Sequence, residues 1–258
     1  MATTDTLKVS IVQGSIIWHQ PKENYDNFTK LINKTEDPDL IVLPEMWSTG
    51  FTMKTHLFAQ EAEHACQHMQ EWSKDKSCGV LGSIIVEEQG QCYNRSLLYD
   101  SGKLVAKYDK KHLFGFSGED RNFRAGTDKC VVDFRHWKLC INICYDLRFP
   151  VWSRNYEDYD ILIYSANWPD AREDAWLSLL KARAIENQSY VIGANCNGKD
   201  AWHNTYKGNS RIFSFDGQRL AHPVEGEAIL SAELERNALL AFRQKFPFLN
   251  DRDPMQFI

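Results

Sequence analysis

The spacing of apolar positions changes from segment to segment along the chain, and that spacing predicts the elements. Residues 7–13 (LKVSIVQ) read as a strand. Pro21 opens a helix that runs to about Lys34, and Asp37-Pro38-Asp39 breaks it. Residues 39–44 (DLIVLP) form a short apolar run of the kind a sheet buries on both faces. Between 60 and 74, Ala62, Ala65, Cys66, Met69 and Trp72 recur at three- and four-residue steps, which predicts a helix. Strands follow over 79–86 and 93–99, and a Ser101-Gly102-Lys103 turn leads into a third over 104–108.

The stretch 114–129 is rich in charge and glycine and predicts a loop. Strands over 130–134 and 138–143 come next, with Pro150 placed to start a helix. A buried strand spans 160–165, and the clearest helix spans 172–188, with Trp176, Leu180 and Ala184 in one row. A strand over 190–195, a hairpin over 210–222 turning at Asp216-Gly217, a strand over 228–234 and a helix over 235–245 complete the chain. Alternating strands and helices with interspersed hairpins predict an α/β or α+β fold. No linker, repeat or low-complexity stretch divides the chain, so a single domain over 1–258 is expected.

Composition narrows the function. The chain has 258 residues, 43% of them hydrophobic, enough to bury a core without staples. Thirty Lys and Arg against 35 Asp and Glu give a net charge of −5 with no basic run, which argues against nucleic acid. No apolar run approaches the ~20 residues of a membrane span. Residues 1–6 are polar and lack the apolar region of a secretory signal. The seven cysteines are odd in number, irregular in spacing and form no C-x-x-C pair. Neither a disulfide framework nor a cysteine zinc cluster is expected, and reduced thiols fit a cytoplasmic enzyme.

Three segments place reactive side chains where a buried strand ends. In LPEMW, Glu45 follows an apolar run, and partial desolvation there would make a useful base. Read alone, it could equally cap a helix or form a surface ion pair. In YDKKHLF, strand alternation turns one of Lys110 and Lys111 inward and the other outward, although two solvated lysines are the plainer reading. In CINICYDLRFP, Cys144 ends an apolar strand ahead of a proline-started helix. That geometry exposes a nucleophile, and the Tyr145 N–H can face a developing oxyanion. Neighbouring cations are expected to lower the thiol's pKa. The alternative is a packed, inert thiol.

Together and in this order, Glu45, Lys110 and Cys144 resemble the Glu–Lys–Cys triad of the nitrilase superfamily of carbon–nitrogen hydrolases. Further similarity runs through Ser165-Ala166-Asn167-Trp168-Pro169, the RAIENQSYV segment from Arg183, Gly193 through Asn195 to Gly198, and Gly208 with Ser210. The YDLRFPVWSRN, ANWP and KFP stretches are most similar to the omega-amidase branch. In GFSGEDRNF, the second glutamate of the family's loop would be Glu119, with Asp120 adjacent as the other option.

The resemblance implies a four-layer α-β-β-α sandwich that dimerises, with the tail from about 243 packing on the partner. Aromatic residues of the 183–190 segment and of the tail (Phe246, Phe248, Phe257) point the same way. It also implies hydrolysis of the terminal amide of a small dicarboxylic acid monoamide through a cysteine thioester, with no cofactor and no metal. The small-molecule amide is the expected partner. Tyr145, Arg148, Asn167 and Trp168 would contact it, and Trp47 would stand nearby. Arg148, with Arg172 second, would grip the substrate carboxylate, unless Arg148 instead pairs with Asp146. Other branches remain open: an amidase of deaminated glutathione, an N-carbamoyl amino acid hydrolase, or a non-catalytic binding protein on the same fold. His64 and His68 share a helix face without further ligands, so a solvated face is expected. His112 reads as a structural hydrogen-bonding residue and Cys140 as core.

Overall fold

Strict alternation in the short strands decides which side chains meet, and it produces two sheets lying face to face. The computed structural model describes residues 5–222 and 224–254. In chain order the elements are β1 (Thr6–Gln13), α1 (Pro21–Asn33), β2 (Leu40–Val42), α2 (Thr55–Phe58), α3 (Ala62–Asp75), β3 (Gly79–Glu88), β4 (Gln91–Asp100) and β5 (Lys103–Asp109). Next come α4 (Glu119–Asn122), β6 (Cys130–Phe134), β7 (Trp137–Ile143), α5 (Pro150–Ser153), β8 (Ile161–Ala166) and α6 (Glu173–Asn187). The chain continues through β9 (Tyr190–Asn195), β10 (Asn197–Lys199), β11 (Thr205–Lys207), β12 (Arg211–Phe213), β13 (Ala228–Glu235) and α7 (Arg236–Lys245).

One sheet has the order β13-β1-β2-β3-β4-β5, and the other β12-β9-β8-β7-β6. In β1, Val9 and Ile11 face the second sheet while Val12 faces the helices, and in β2 Leu40 and Val42 part from Ile41 in the same way. Val9, Ile11, Leu40 and Val42 share one core with Leu139, Ile141, Ile161 and Ile163 of the other sheet. Ile41 and Val80 pack with Phe28 of α1 and Met69 of α3. On the far side, Gly193 lets Trp176 and Leu180 of α6 lie against β9, because a Cβ there would come within 2.5 Å of Leu180. The layers are therefore helix, sheet, sheet, helix, as expected.

The parallel ladders β1–β2–β3 and β7–β8–β9 point their carboxyl ends to the same region, where open sheets place their ligand sites. A helix starts at Pro150 as expected, as a single turn preceded by a 3₁₀ turn over Cys144–Arg148. One expectation needs correction: the stretch 114–129, read as loop, contains α4. The β10–β11 hairpin adds a small sheet that the pattern of apolar positions does not announce. The hairpin at Asp216-Gly217 forms, with the Ser214 N–H donating to the Gln218 carbonyl at 2.7 Å and the Leu220 N–H to the Ile212 carbonyl at 2.9 Å, and its return arm pairs through a bridge between Phe213 and Arg219.

The described part of the tail lies on its own chain. Gln188 Nε2 donates to the Phe246 carbonyl at 2.8 Å, Arg252 reaches the Asn155 carbonyl, and Leu249 is buried. Phe248 is exposed, and Phe257 lies outside the described residues.

Candidate active site

Each of the three strand-end segments delivers its side chain to one buried cluster. Glu45 follows β2 on a turn in which Met46 takes φ +44°, and Ser83 Oγ accepts the Met46 N–H at 2.9 Å to hold it. Lys110 follows β5. Cys144 follows β7 and sits at φ +42°, a left-handed conformation that costs a non-glycine residue strain and lifts its side chain off the strand end.

The cluster is dense in charge. Lys110 Nζ donates to Glu45 Oε1 at 2.8 Å and to Glu119 Oε1 and Oε2 at 3.0 and 2.9 Å. Glu119 Oε2 also accepts the Phe114 N–H at 2.6 Å, which ties the loop over the site to the lysine. The other Glu45 oxygen, Oε2, accepts the Asn167 N–H at 3.0 Å, and the Asn167 side chain returns to the Glu45 carbonyl. Cys144 Sγ lies 3.9 Å from the Asn167 carbonyl oxygen. Glu45 and Lys110 grow from one sheet, and Cys144 and Asn167 from the other.

Burial sets the electrostatics. It pushes Lys110 toward losing its proton, but Glu119 and Glu45 outweigh that and hold the ammonium above its ordinary pKa. Burial raises Glu119 above the usual carboxylate range; Lys110 opposes the shift and Glu45 adds to it. The Cys144 thiol stands well above its usual value, first through burial and then through the Glu45 carboxylate, with Lys110 pulling the other way. This overturns the expectation of a lowered thiol pKa. Desolvation and the carboxylate exceed the single cation, and both favour the neutral thiol over the thiolate.

The cluster opens into a cavity of about 430 Å³. Tyr145, Arg148, Asn167, Trp168 and Arg172 line it. The Tyr145 N–H, in the first turn of the 3₁₀ segment, has no acceptor within that turn. Arg148 lies over the Trp168 ring at 4.9 Å and Arg172 over Phe114 at 5.4 Å, and neither has an ion-pair partner among the described residues. The alternative pairing of Arg148 with Asp146 is not formed.

Trp47 is misplaced by sequence reasoning. It is buried among Tyr25, Phe28 and Trp72 on the helix side of its sheet and does not line the cavity. The left-handed turn at Met46 sends it there. Lys111 points outward over Trp152, opposite in sense to Lys110. Asp120 is exposed, whereas Glu119 is buried. His64 meets Glu61 at 3.4 Å and His68 stacks on Tyr25. Among the described residues no group of three His, Cys, Asp or Glu could hold a metal ion.

Sequence reasoning gave no role to two asparagines, Asn94, which it passed over, and Asn195, which it named only within a stretch of family similarity. Asn94 Nδ2 spans Glu45 Oε1 at 2.7 Å and Glu119 Oε1 at 3.1 Å. Asn195 clamps Trp168 through its backbone, accepting the N–H at 2.7 Å and donating to the carbonyl at 2.8 Å. The signal for Asn94 is a polar amide inside a strand, and for Asn195 a polar amide that ends an apolar one.

A buried carboxylate beside a thiol, with a buried lysine able to receive negative charge, is chemically suited to attack on an amide carbon. The chain belongs to the carbon–nitrogen hydrolase family, whose model matches residues 8–244. It is a hydrolase of carbon–nitrogen bonds in amides. Omega-amidase YafV of Yersinia enterocolitica is 40% identical to it over 249 residues, covering 96% of this chain and 97% of that protein. The 2-oxoglutaramate amidase of Bacillus subtilis is 33% identical, covering 94% and 96% respectively. Among solved structures, the CN-hydrolase superfamily protein XC1258 of Xanthomonas campestris, with an arsenic adduct in its active site, superposes with a TM-score of 0.94. It is 32% identical, covering 98% of this chain and 99% of that one.

Proposed function

We propose that the protein is an omega-amidase that hydrolyses the terminal amide of small dicarboxylic acid monoamides, of the 2-oxoglutaramate or 2-oxosuccinamate type, to the acid and ammonia. The observation that carries this reading is the pairing of the Glu45–Lys110–Cys144 cluster with two arginines in the same cavity, Arg148 and Arg172, that have no ion-pair partner among the described residues. A thiol and base suffice for amide cleavage. A guanidinium free of carboxylates is what a substrate carboxylate several bonds away requires. The omega-amidase and 2-oxoglutaramate amidase relatives support the same substrate class.

In this reading Glu45 takes the Cys144 proton as sulfur attacks the amide carbon. Lys110 and the Tyr145 N–H receive the oxyanion. Glu45 returns the proton to the leaving nitrogen, ammonia departs, and a thioester remains on Cys144. Water, deprotonated by Glu45, attacks the thioester; the acid leaves and the proton returns to sulfur. Glu119 orients Lys110, Asn167 orients Glu45, and Trp168 forms the wall against which Arg148 is held.

The 5–254 region acts as one domain, because a single core joins both sheets. The active form is a homodimer, supported by the exposed Ile185 on α6 and Phe248 on the tail. A cytoplasmic location is supported by seven free cysteines. Among the described residues no helix is long and apolar enough to cross a membrane.

Ammonia release across a panel tests the proposal. Glutaramate-type and succinamate-type monoamides should be turned over, with neutral aliphatic amides, N-carbamoyl amino acids and deaminated glutathione far behind. Preference for any of the last three would replace this reading with that branch.

A further inference from the structure

One carboxylate brackets both the lysine and the cysteine. Asp146 is fully buried two residues past Cys144. Its Oδ1 accepts the His112 main-chain N–H at 2.9 Å and faces His112 Nδ1 at 2.8 Å. Its Oδ2 accepts the Tyr108 hydroxyl at 2.8 Å and the Ile143 N–H at 3.0 Å. Tyr108 and His112 stand two residues before and two residues after Lys110. Ile143 immediately precedes Cys144. The Tyr108 oxygen further accepts the Trp152 indole N–H at 3.1 Å and the Lys111 N–H at 3.2 Å. The His112 ring lies flat on Phe149, with 3.7 Å between centroids, so the chain on both sides of the nucleophile joins the network.

Lys110 leaves β5 of one sheet and Cys144 leaves β7 of the other, and the two sheets share no ladder. Backbone pairing therefore does not fix the distance between ammonium and sulfur. We infer that Asp146 is the positioning residue that does so, acting through Tyr108 and His112 on one side and through the Ile143 N–H on the other. The carboxylate suits this task because it only accepts, and four donors converge on it from both segments. An amide in its place would set its own N–H against one of those donors. This role rests on the proposal that Lys110 and Cys144 carry the chemistry.

The test compares Asp146→Asn, Tyr108→Phe and the double variant with Cys144→Ala in the full chain, using a glutaramate-type monoamide. Rates are expressed per folded molecule from circular dichroism. Asp146→Asn should lower kcat about 100-fold, the usual cost of misplacing reacting groups by about an ångström, with KM within about twofold. Tyr108→Phe should lower kcat about fivefold, the worth of one ordinary hydrogen bond, again with KM steady. The double variant should be no worse than Asp146→Asn alone, because both act through one network. A purely structural role would lower the folded fraction and leave kcat per folded molecule unchanged, and that result overturns the inference. Should Asp146→Asn fail to fold, Tyr108→Phe decides: wild-type kcat there overturns it. An active Cys144→Ala would instead overturn the underlying chemistry, whatever the other variants do.

Discussion

Lys110 Nζ lies 2.8 Å from Glu45 Oε1, in an ion pair where neither side chain is more than 1% exposed. Glu119 completes a buried arrangement of one cation between two carboxylates. Removing the cation leaves two carboxylates facing each other without water. Lys110→Ala should therefore destabilise the fold by about 3–5 kcal/mol, the usual cost of breaking a buried pair. It should also lower kcat by about 10²–10³, the loss seen when an oxyanion donor is removed. Lys111→Ala, which removes only a contact over Trp152, should leave both nearly unchanged. Thermal unfolding and steady-state kinetics of the pair check this; the opposite pattern would place Lys111 at the site.

Glu45→Gln keeps the shape of the side chain but cannot accept the thiol proton. A drop in kcat of about 10²–10⁴ is expected, the range of a lost general base, with circular dichroism unchanged. Activity within tenfold of wild type would assign the base elsewhere.

The thiol of Cys144 is held well above its ordinary pKa by burial and by Glu45. The thiolate is the reactive form, so alkylation by iodoacetamide should be slow near neutrality. It should climb about tenfold per pH unit through the range in which an ordinary thiol already levels off, near its reference value of about 8.5. Bound substrate or product acid should slow it further. Peptide mapping of the labelling rate at Cys144 against pH tests this, and a plateau below pH 8 would show a thiolate at rest.

Arg148 and Arg172 both reach the cavity without an acidic partner among the described residues, and replacement separates gripping from bracing. Lysine keeps the charge but loses the paired hydrogen bonds. Arg148→Lys should cut kcat/KM for dicarboxylic monoamides at least tenfold more than for neutral amides, about 1.4 kcal/mol of selective binding. Equal losses on both substrate classes would remove Arg148 as the carboxylate anchor and leave Arg172→Lys to show the selective effect.

Much of this site is legible in the chain because its residues sit where strand patterns end. The apolar run 39–44 announces β2 and so places Glu45, and the run before Cys144 does the same for the nucleophile. Alternation past β5 says that one of Lys110 and Lys111 turns inward, and the resemblance to the triad singles out Lys110. What the sequence hides depends on partners distant in the chain. Asn94 looks like an ordinary polar strand residue until sheet pairing sets it beside Glu45 and Glu119. Trp47 is two residues from Glu45, yet the left-handed Met46 reverses the chain and sends it into the core. Asp146 and Arg148 are close in sequence, but the aspartate is consumed by Tyr108, His112 and Ile143. The direction of the Cys144 shift is hidden for the same reason: nearby charges can be read from sequence, whereas the depth of burial cannot.

The central claim is that amide cleavage runs through a thioester on Cys144, and the most direct measurement is the intact mass of enzyme quenched in acid during turnover of a glutaramate-type monoamide. The account predicts a species heavier by the acyl group, mapped to Cys144 by peptide analysis, chased by water to free acid, and absent from a Cys144→Ala variant that releases no ammonia. Ammonia release by that variant, or an acyl adduct on any other residue, would contradict it.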